Sequence, residues 1–223
     1  MRRGSDITEQ SSARGPAARP SRQERGARGP LGLGGTRGFS RAELDLYPTQ
    51  ASVARVLVEA ERFPGGAWEC ACGLGDLSRV LIAAGVDTVS TDIASRGYGR
   101  GGVDFLKTVK LRRPNVVTNP PFVLWKAFAL HALQLGAAKV AMLGRLLTLE
   151  DWDDRADFFR ATRLSRVLVA GRGTEMRAHG SRTRGFKGVI AYAWYVWDRA
   201  ARWHGGPVVH WPVAPVSSWR AFA

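Results

Sequence analysis

The four residues Asn119-Pro120-Pro121-Phe122 follow a short apolar run and combine three chemical properties in one turn. The side-chain amide oxygen of Asn119 can accept a hydrogen bond from an amino group. The two prolines fix φ and remove two backbone donors, which leaves rigid carbonyl groups. The residue before each proline is pushed out of the helical region, so the chain turns sharply there. Because Phe122 offers a flat face for stacking, the motif predicts a pocket for an exocyclic amine on a planar ring.

A second candidate site is the glycine turn that contains Gly73 and Gly75. Glycines allow the backbone to approach a ligand closely, and the N-terminus of the following helix favours negative charge. Asp92 comes 17 residues after Gly75, near the spacing of roughly 20 residues that is typical of a ribose-binding carboxylate. Asp104 could accept a hydrogen bond from an adenine amino group, with Phe105 packed nearby. A solvated turn or a helix cap is the alternative interpretation of Asp104.

Alternating helices and strands are predicted to position these residues. Helices are expected from Thr49, as N-cap, to Phe63 and over residues 77–84, 123–135 and 152–160. Strands are expected over residues 67–71, 88–91, 115–118 and 139–143. Such alternation implies right-handed crossovers and a mostly parallel sheet in an α/β fold. Two later runs of strong β-formers, 166–169 and 188–197, predict a C-terminal antiparallel hairpin at the edge of the sheet.

Composition places one domain in the middle of the chain. Of the 223 residues, 45 % are apolar, which suffices for one core. Residues 1–40 are rich in Gly, Arg, Ser and Pro, so we expect a disordered basic tail there. Residues 201–223 are expected to form an irregular C-terminal tail. No apolar run approaches the roughly 18 residues that span a bilayer, so we expect a cytoplasmic protein without membrane contact.

Two features bear on partners and metals. Cys70 and Cys72 are too few for a zinc site, and we interpret them as packing residues in a reducing compartment, with no metal bound. The chain carries 33 Lys+Arg against 19 Asp+Glu, a formal net charge of +14. Such charge favours encounters with polyanions, although a GC-rich genome would also encode many arginines.

Basic residues of the late loop and of one strand end are candidate contacts to a nucleic-acid backbone. They are Arg145, Arg172, Arg177, Arg182, Arg184 and Lys187. A solvated loop, and a surface salt bridge for Arg145, are the alternatives.

The ordered motifs resemble those of the S-adenosylmethionine-dependent class I amino methyltransferases. Within that family they most resemble the N6-adenine DNA methyltransferases, and the compact phage and prophage enzymes in particular. The motifs are Tyr47-Pro48-Thr49, Glu69-x-x-x-Gly73-x-Gly75, Asp92, Asp104-Phe105 and Asn119-Pro120-Pro121-Phe122. The resemblance covers about residues 45–200 and implies a Rossmann-like class I methyltransferase domain. Gln50 and Leu74 depart from the family pattern, which often has proline at the first position and an acidic or small residue at the second.

The resemblance also implies a role for each motif residue, with S-adenosylmethionine as cofactor. The residues that would bind it are Tyr47, Thr49, Glu69, Gly73, Gly75, Asp92, Asp104 and Phe105. Thr49 and Gly73 would line its methionine end, with Glu69 close to the amino group. Asp92 would hold the ribose, while Asp104 and Phe105 would hold the adenine. Asn119 and the Pro120 carbonyl would accept hydrogen bonds from the target amine, while Phe122 would stack on the base.

These roles predict methyl transfer to the N6 amine of adenine in nucleic acid, with DNA favoured over RNA. Methylation of guanine N2 in ribosomal RNA and of glutamine in a protein are the alternatives, because both targets are planar amines. A catalytically inactive protein that binds the cofactor or nucleic acid is the alternative outside the enzymes.

Overall fold

The computed structural model describes residues 47–150, 155–170 and 191–211, which form one seven-stranded sheet with helices. The strands are β1 Ala67–Glu69, β2 Thr88–Ser90, β3 Asn115–Thr118, β4 Lys139–Arg145, β5 Arg166–Val169, β6 Tyr192–Asp198 and β7 Val208–His210. The α-helices are α1 Ala51–Ala60, α2 Asp76–Ala83, α3 Trp125–Gln134 and α4 Arg155–Thr162. Short 3₁₀ turns occur at Phe105–Lys107, Phe122–Leu124 and Leu146–Leu149. The expected tail of residues 1–40 lies outside the described residues.

The sheet has the strand order β2-β1-β3-β4-β6-β5-β7, and β6 runs antiparallel to both of its neighbours. The other pairings are parallel, so the predicted mostly parallel α/β sheet with an antiparallel β5–β6 pair is confirmed. The hairpin is not at the outer edge, because β7 pairs with β5 and forms that edge. The expectation of an irregular tail is therefore wrong for Val208–His210, where two adjacent β-branched valines extend the sheet.

Two helix starts differ from the sequence prediction. Gln50, not Thr49, is the N-cap of α1, and it makes no side-chain capping bond. The Thr49 hydroxyl instead accepts a hydrogen bond from Asn119. Helix α3 begins at Trp125 because the three residues before it form a 3₁₀ turn, in which the Leu124 amide donates to the Pro121 carbonyl at 2.9 Å. Each change brings a side chain or a turn to the candidate site.

Apolar side chains cover both faces of the sheet. In β6, Tyr195 and Trp197 pack into one core, while Trp194 and Val196 pack into the core on the opposite face. This alternation is the period of two expected for a strand buried on both sides. The Trp194 indole N–H donates to the Val53 carbonyl at 2.8 Å, which ties β6 to α1. Within the described ranges, no helix is long and apolar enough to cross a membrane.

Four charged side chains form a cluster where β4 and β5 begin and β6 ends. Glu61 accepts hydrogen bonds from Arg166 and Lys139, each at 2.5 Å. Asp198 accepts from Arg166 at 2.7 Å and lies 3.3 Å from Lys139. These contacts lower the pKa of Asp198 in spite of its partial burial, which acts in the opposite direction. The cluster ties three strands and the end of α1 together.

The strand order also predicts where a ligand binds. Strand β1 lies between β2 and β3, so the chain passes from β1 to one side of the sheet and then crosses to the other side. The connections that leave the carboxyl ends of β1 and β3 therefore diverge and open a crevice between them. In open α/β sheets, ligands bind in such a crevice.

Candidate active site

A cavity of about 270 Å³ occupies this crevice. Eight of the eleven residues predicted to bind the cofactor or the acceptor line it. They are Tyr47, Thr49, Glu69, Gly73, Asp92, Asp104, Phe105 and Asn119. The other three, Gly75, Pro120 and Phe122, are not among the lining residues. The fold therefore brings together motifs that are separated by up to 72 residues in the sequence.

The glycine turn is held against the loop that follows β2. The Gly73 amide donates to Asp92 Oδ2 at 2.9 Å. Gly75 is the N-cap of α2 and has a φ of 84°, a conformation that favours glycine. The ring of Tyr98 lies so close to Gly75 that any side chain there would collide with it. Gly75 thus shapes the turn, and its contact with the cofactor stays a prediction.

Asp92 is buried in the wall of the cavity, with a relative exposure of 6 %. Its Oδ1 atom accepts from the Ala94 amide at 2.9 Å and lies 3.7 Å from Arg96 Nε. Backbone amides therefore fix the orientation of both carboxylate oxygens. Each oxygen retains capacity to accept a further hydrogen bond, so the arrangement is compatible with the predicted contact to ribose hydroxyls.

Asp104 has the capping role that was the alternative to adenine binding. Its Oδ1 atom accepts from the Leu106 amide at 3.1 Å, and Oδ2 pairs with Lys107 Nζ at 3.2 Å. Phe105 is buried, with ring centroids 5.2 Å from Trp68 and 5.0 Å from Phe128. Both residues line the cavity, and their predicted contact with adenine stays a prediction.

Glu69, the last residue of β1, is a buried carboxyl group at the cavity wall with 2 % exposure. The Ser78 hydroxyl donates to Oε2, and it lies 2.6 Å from the Ser90 hydroxyl. Burial raises the pKa of Glu69 to about 8; hydrogen bonds with Ser78 oppose this rise, while Asp76 and Asp92 add to it. Glu69 therefore holds a proton at neutral pH, and a cation placed beside it would favour the ionised form.

The side-chain amide of Asn119 has a defined orientation. Nδ2 donates to the Tyr47 carbonyl at 3.1 Å and to Thr49 Oγ1 at 3.2 Å. A backbone carbonyl can only accept, so the nitrogen must face Tyr47 and the oxygen must face away. No donor among the described residues reaches Oδ1. The segment that precedes α1 therefore orients Asn119 so that its oxygen is available as an acceptor, a link that sequence reasoning did not find.

Phe122 is half-buried beside Asn119, and three aromatic or cationic side chains of the described residues lie around its ring. The Tyr47 ring is 5.6 Å away and tilted, the Tyr192 ring is stacked at 6.1 Å, and Arg145 Cζ lies 5.1 Å from the ring centroid. Within the described part of the chain, Arg145 has no carboxylate partner, so the salt-bridge alternative is not observed there. Tyr192 was not foreseen as a neighbour of the site. The roles predicted for Pro120 and Phe122 stay predictions.

The other predicted nucleic-acid contacts cannot be placed. Arg172, Arg177, Arg182, Arg184 and Lys187 all lie outside the described residues.

Among the residues that are described, no group of three or more His, Cys, Asp or Glu side chains is arranged to hold a metal ion. Cys70 and Cys72 are free and buried, and burial raises the pKa of the Cys72 thiol to about 12. Both thiols are therefore protonated packing groups at neutral pH.

The chemistry of the lining fits S-adenosylmethionine. Four carboxyl groups face the cavity together with one guanidinium group, and the remaining wall is largely apolar. The charged residues are Glu69, Asp76, Asp92, Asp104 and Arg96. The apolar wall includes Leu77, Val103, Phe105, Leu106 and Phe128. Such a lining suits a ligand with a cationic end, hydroxyl groups and a flat ring.

Comparison with solved structures finds the same architecture in methyltransferases. A modification subunit of a candidate type I restriction enzyme from Vibrio vulnificus YJ016 superimposes with a TM-score of 0.50 at 16 % identity, over 77 % of this chain and 48 % of that one. A candidate RNA methyltransferase from Pyrococcus horikoshii gives a TM-score of 0.50 at 15 % identity, over 72 % of this chain and 89 % of that one. The chain has the class I methyltransferase fold.

This class I methyltransferase fold is the one that the sequence motifs implied, so the fold prediction is confirmed. The chain spans about half the length of the Vibrio subunit. No protein-family model matches the sequence. A comparison with curated proteins likewise finds no match.

Proposed function

We propose that this protein transfers a methyl group from S-adenosylmethionine to the N6 amine of adenine in nucleic acid, with DNA as the preferred substrate. The observation that carries the proposal is the orientation of Asn119. Its Nδ2 atom is bonded to Tyr47 and Thr49, and its Oδ1 atom is available at a cavity whose lining suits the cofactor. An acceptor oxygen at that position is what a planar amine needs in order to react.

The residues that line the cavity, together with the adjacent Pro120, have distinct roles in the proposed reaction. Glu69 and Asp92 bind the methionine amino group and the ribose of the cofactor, which supplies an electrophilic methyl group when bound. Asn119 Oδ1 and the Pro120 carbonyl accept hydrogen bonds from the two amine hydrogens. The lone pair of an aromatic amine is delocalised into its ring, and two acceptors outside the ring plane localise it toward the methyl group. Since positive charge develops on the nitrogen during transfer, the same oxygen dipoles stabilise the transition state. The methylated ammonium that results is acidic and gives its extra proton to water, so no strong general base is required.

Several observations favour adenine in DNA as the target. The chain carries a formal net charge of +14, which suits a polyanionic substrate. The Phe122 ring next to Asn119 gives a planar base a face for stacking. The structurally similar Vibrio protein is a modification subunit of a candidate type I restriction enzyme, which favours DNA as the substrate. In a duplex, the target base would have to be flipped out to reach the cavity.

RNA is the second candidate substrate, with guanine N2 of ribosomal RNA included. The observation that favours it is the similarity to the Pyrococcus candidate RNA methyltransferase, which extends over 89 % of that chain. A protein glutamine would fill the same acceptor position but would not use the stacking face of Phe122. The resemblance to compact phage enzymes and a cytoplasmic location belong to the same proposal, the latter supported by the free thiols of Cys70 and Cys72.

Parallel methyl transfer tests the proposal. The full chain is incubated with labelled S-adenosylmethionine and with DNA, ribosomal RNA or total protein, and the products are hydrolysed to nucleosides and amino acids. We expect label in N6-methyladenine from DNA. Label only in RNA would identify RNA as the substrate in place of DNA. Label only in glutamine would refute nucleic-acid methylation. Cofactor binding without methyl transfer would favour an inactive cofactor-binding protein.

A further inference from the structure

Arg145 covers the ring that the proposed acceptor base would use. It is the last residue of β4, and its Cζ atom lies 5.1 Å from the centroid of Phe122. The backbone is fixed there, because the Tyr195 hydroxyl donates to the Arg145 carbonyl at 2.8 Å and the strand pairs with Tyr192. A fixed backbone beside the ring leaves the side chain as the part that can move.

Among the described residues, no anion holds the guanidinium group of Arg145. Nε is buried without a hydrogen-bond partner, and no carboxylate among the described residues lies within ion-pair distance. A cation over an aromatic ring is attracted by the negative face of the ring, but this contact leaves the N–H donors of the fork unused. A phosphate group would accept two of those donors at once and would satisfy them better than the ring does. The contact with Phe122 is therefore one that a phosphate can replace.

The two aromatic neighbours of Phe122 lack the charge of Arg145. Tyr192 is buried within β6, with 3 % exposure, and its ring is stacked on Phe122 at 6.1 Å. The Tyr47 ring is tilted against Phe122 at 5.6 Å. Arg145 is therefore the described neighbour that a phosphate can draw away from the ring when a base stacks there.

We propose that Arg145 occupies the place of the acceptor base on Phe122 in the free protein and moves to a phosphate of the acceptor when the base enters. This inference rests on the proposed function. When the base displaces Arg145, the cation–π contact with Phe122 is lost. Arg145 gains a phosphate contact in its place only when the base is attached to a phosphate-bearing chain. Arg145 therefore makes the enzyme select a base within a polynucleotide over a free nucleoside.

Kinetics on two acceptors test the selectivity. Arg145→Gln is compared with the unchanged protein on free deoxyadenosine and on a short adenine-containing oligonucleotide. We expect KM for the oligonucleotide to rise about tenfold and KM for deoxyadenosine to fall, because the phosphate contact is lost and the ring is uncovered. Equal increases for both acceptors would indicate a structural role, and an unchanged KM for deoxyadenosine would indicate a phosphate contact without place-holding. Either result would overturn the proposal.

Arg113→Gln is the matched control. Arg113 pairs with Asp87 at 2.9 Å at the opposite end of the strands, so its loss removes the same charge away from the cavity. KM for the oligonucleotide and KM for deoxyadenosine should both stay unchanged in this variant.

A spectroscopic measurement separates this inference from the proposed function. The Nε–Hε signal of Arg145, assigned by its absence in Arg145→Gln, should be shifted by the ring current of Phe122, and Phe122→Leu should remove the shift. Addition of the oligonucleotide should remove it as well. The inference about Arg145 would be refuted by an unshifted signal in the free protein. It would also be refuted by a signal that stays shifted in a protein that methylates the oligonucleotide. Either result would leave the proposed function standing. Failure to methylate any nucleic acid would refute the proposed function.

Discussion

Replacing Glu69 with glutamine should stabilise the protein at alkaline pH and change its stability little at acid pH. Burial raises the pKa of Glu69 from 4.5 to about 8. The folded chain therefore binds this proton more tightly than the unfolded chain does. The stability that this group contributes is fully present below pH 4.5 and is lost as the pH rises through the folded value of about 8. Glutamine has no proton to lose, so the variant lacks this dependence.

The size of the effect follows from the same pKa. With about 1.36 kcal/mol for each tenfold change in proton affinity, the wild-type protein should lose about 4 kcal/mol relative to the variant between about pH 5 and about pH 9. Glutamine keeps nearly the same shape, and its side-chain oxygen can still accept the hydrogen bond from Ser78. The difference between the two chains should therefore arise from ionisation and not from packing.

Urea denaturation followed by tryptophan fluorescence measures this difference, because Trp68 and Trp194 are fully buried. The free energies of unfolding of the two proteins should diverge as the pH rises. Glu59→Gln, on the exposed side of α1, is the control for the loss of one acidic side chain. Parallel curves for wild type and Glu69→Gln over the whole pH range would refute the reasoning that Glu69 is protonated in the folded state.

Three further predictions concern the cofactor and the fold. Asp92→Ala should weaken S-adenosylmethionine binding by roughly tenfold or more, because it removes a ribose acceptor and releases the glycine turn. Calorimetry measures the affinity, and an unchanged value would exclude the ribose contact. Cofactor binding near neutral pH should release close to one proton from Glu69, which calorimetry in buffers of different ionisation enthalpy detects; equal release by Glu69→Gln would assign the proton elsewhere. Glu61→Gln should lower the free energy of unfolding by about 3 kcal/mol, because it removes one of the two carboxylates that Arg166 and Lys139 share and leaves them only Asp198 among the described residues. A loss below about 1 kcal/mol in urea denaturation would show that the cluster contributes little.

The order of the fold was predictable from local patterns. Apolar residues at helical spacing, short β-rich runs and glycine or proline breaks alternate along the chain, and such alternation imposes a parallel sheet. The exact ends were less accessible, because they depend on tertiary contacts. Thr49 has the residue type of an N-cap, yet its hydroxyl accepts from Asn119. The three residues of β7 were missed because a strand so short has no usable period.

The candidate site was predictable in its membership but not in its internal contacts. Gly73, Asp92 and Asn119 follow the ends of parallel strands, and such ends meet at one edge of a sheet. The hydrogen bond that orients Asn119 joins residues 72 positions apart, and no local pattern encodes it. The cation–π contact of Arg145 and the raised pKa of Glu69 likewise depend on packing between elements.

The orientation of Asn119 is the central claim, and single-turnover methyl transfer to an adenine-containing oligonucleotide tests it most directly. Asn119→Ala and Asn119→Asp are compared with wild type, and cofactor binding is measured on the same samples. The alanine variant should lose transfer by about 100-fold or more while binding the cofactor with nearly unchanged affinity, because it removes one acceptor of the transition state. Asn119→Asp should retain more activity than Asn119→Ala, since it keeps an acceptor oxygen. Transfer by Asn119→Ala at the wild-type rate would contradict the account.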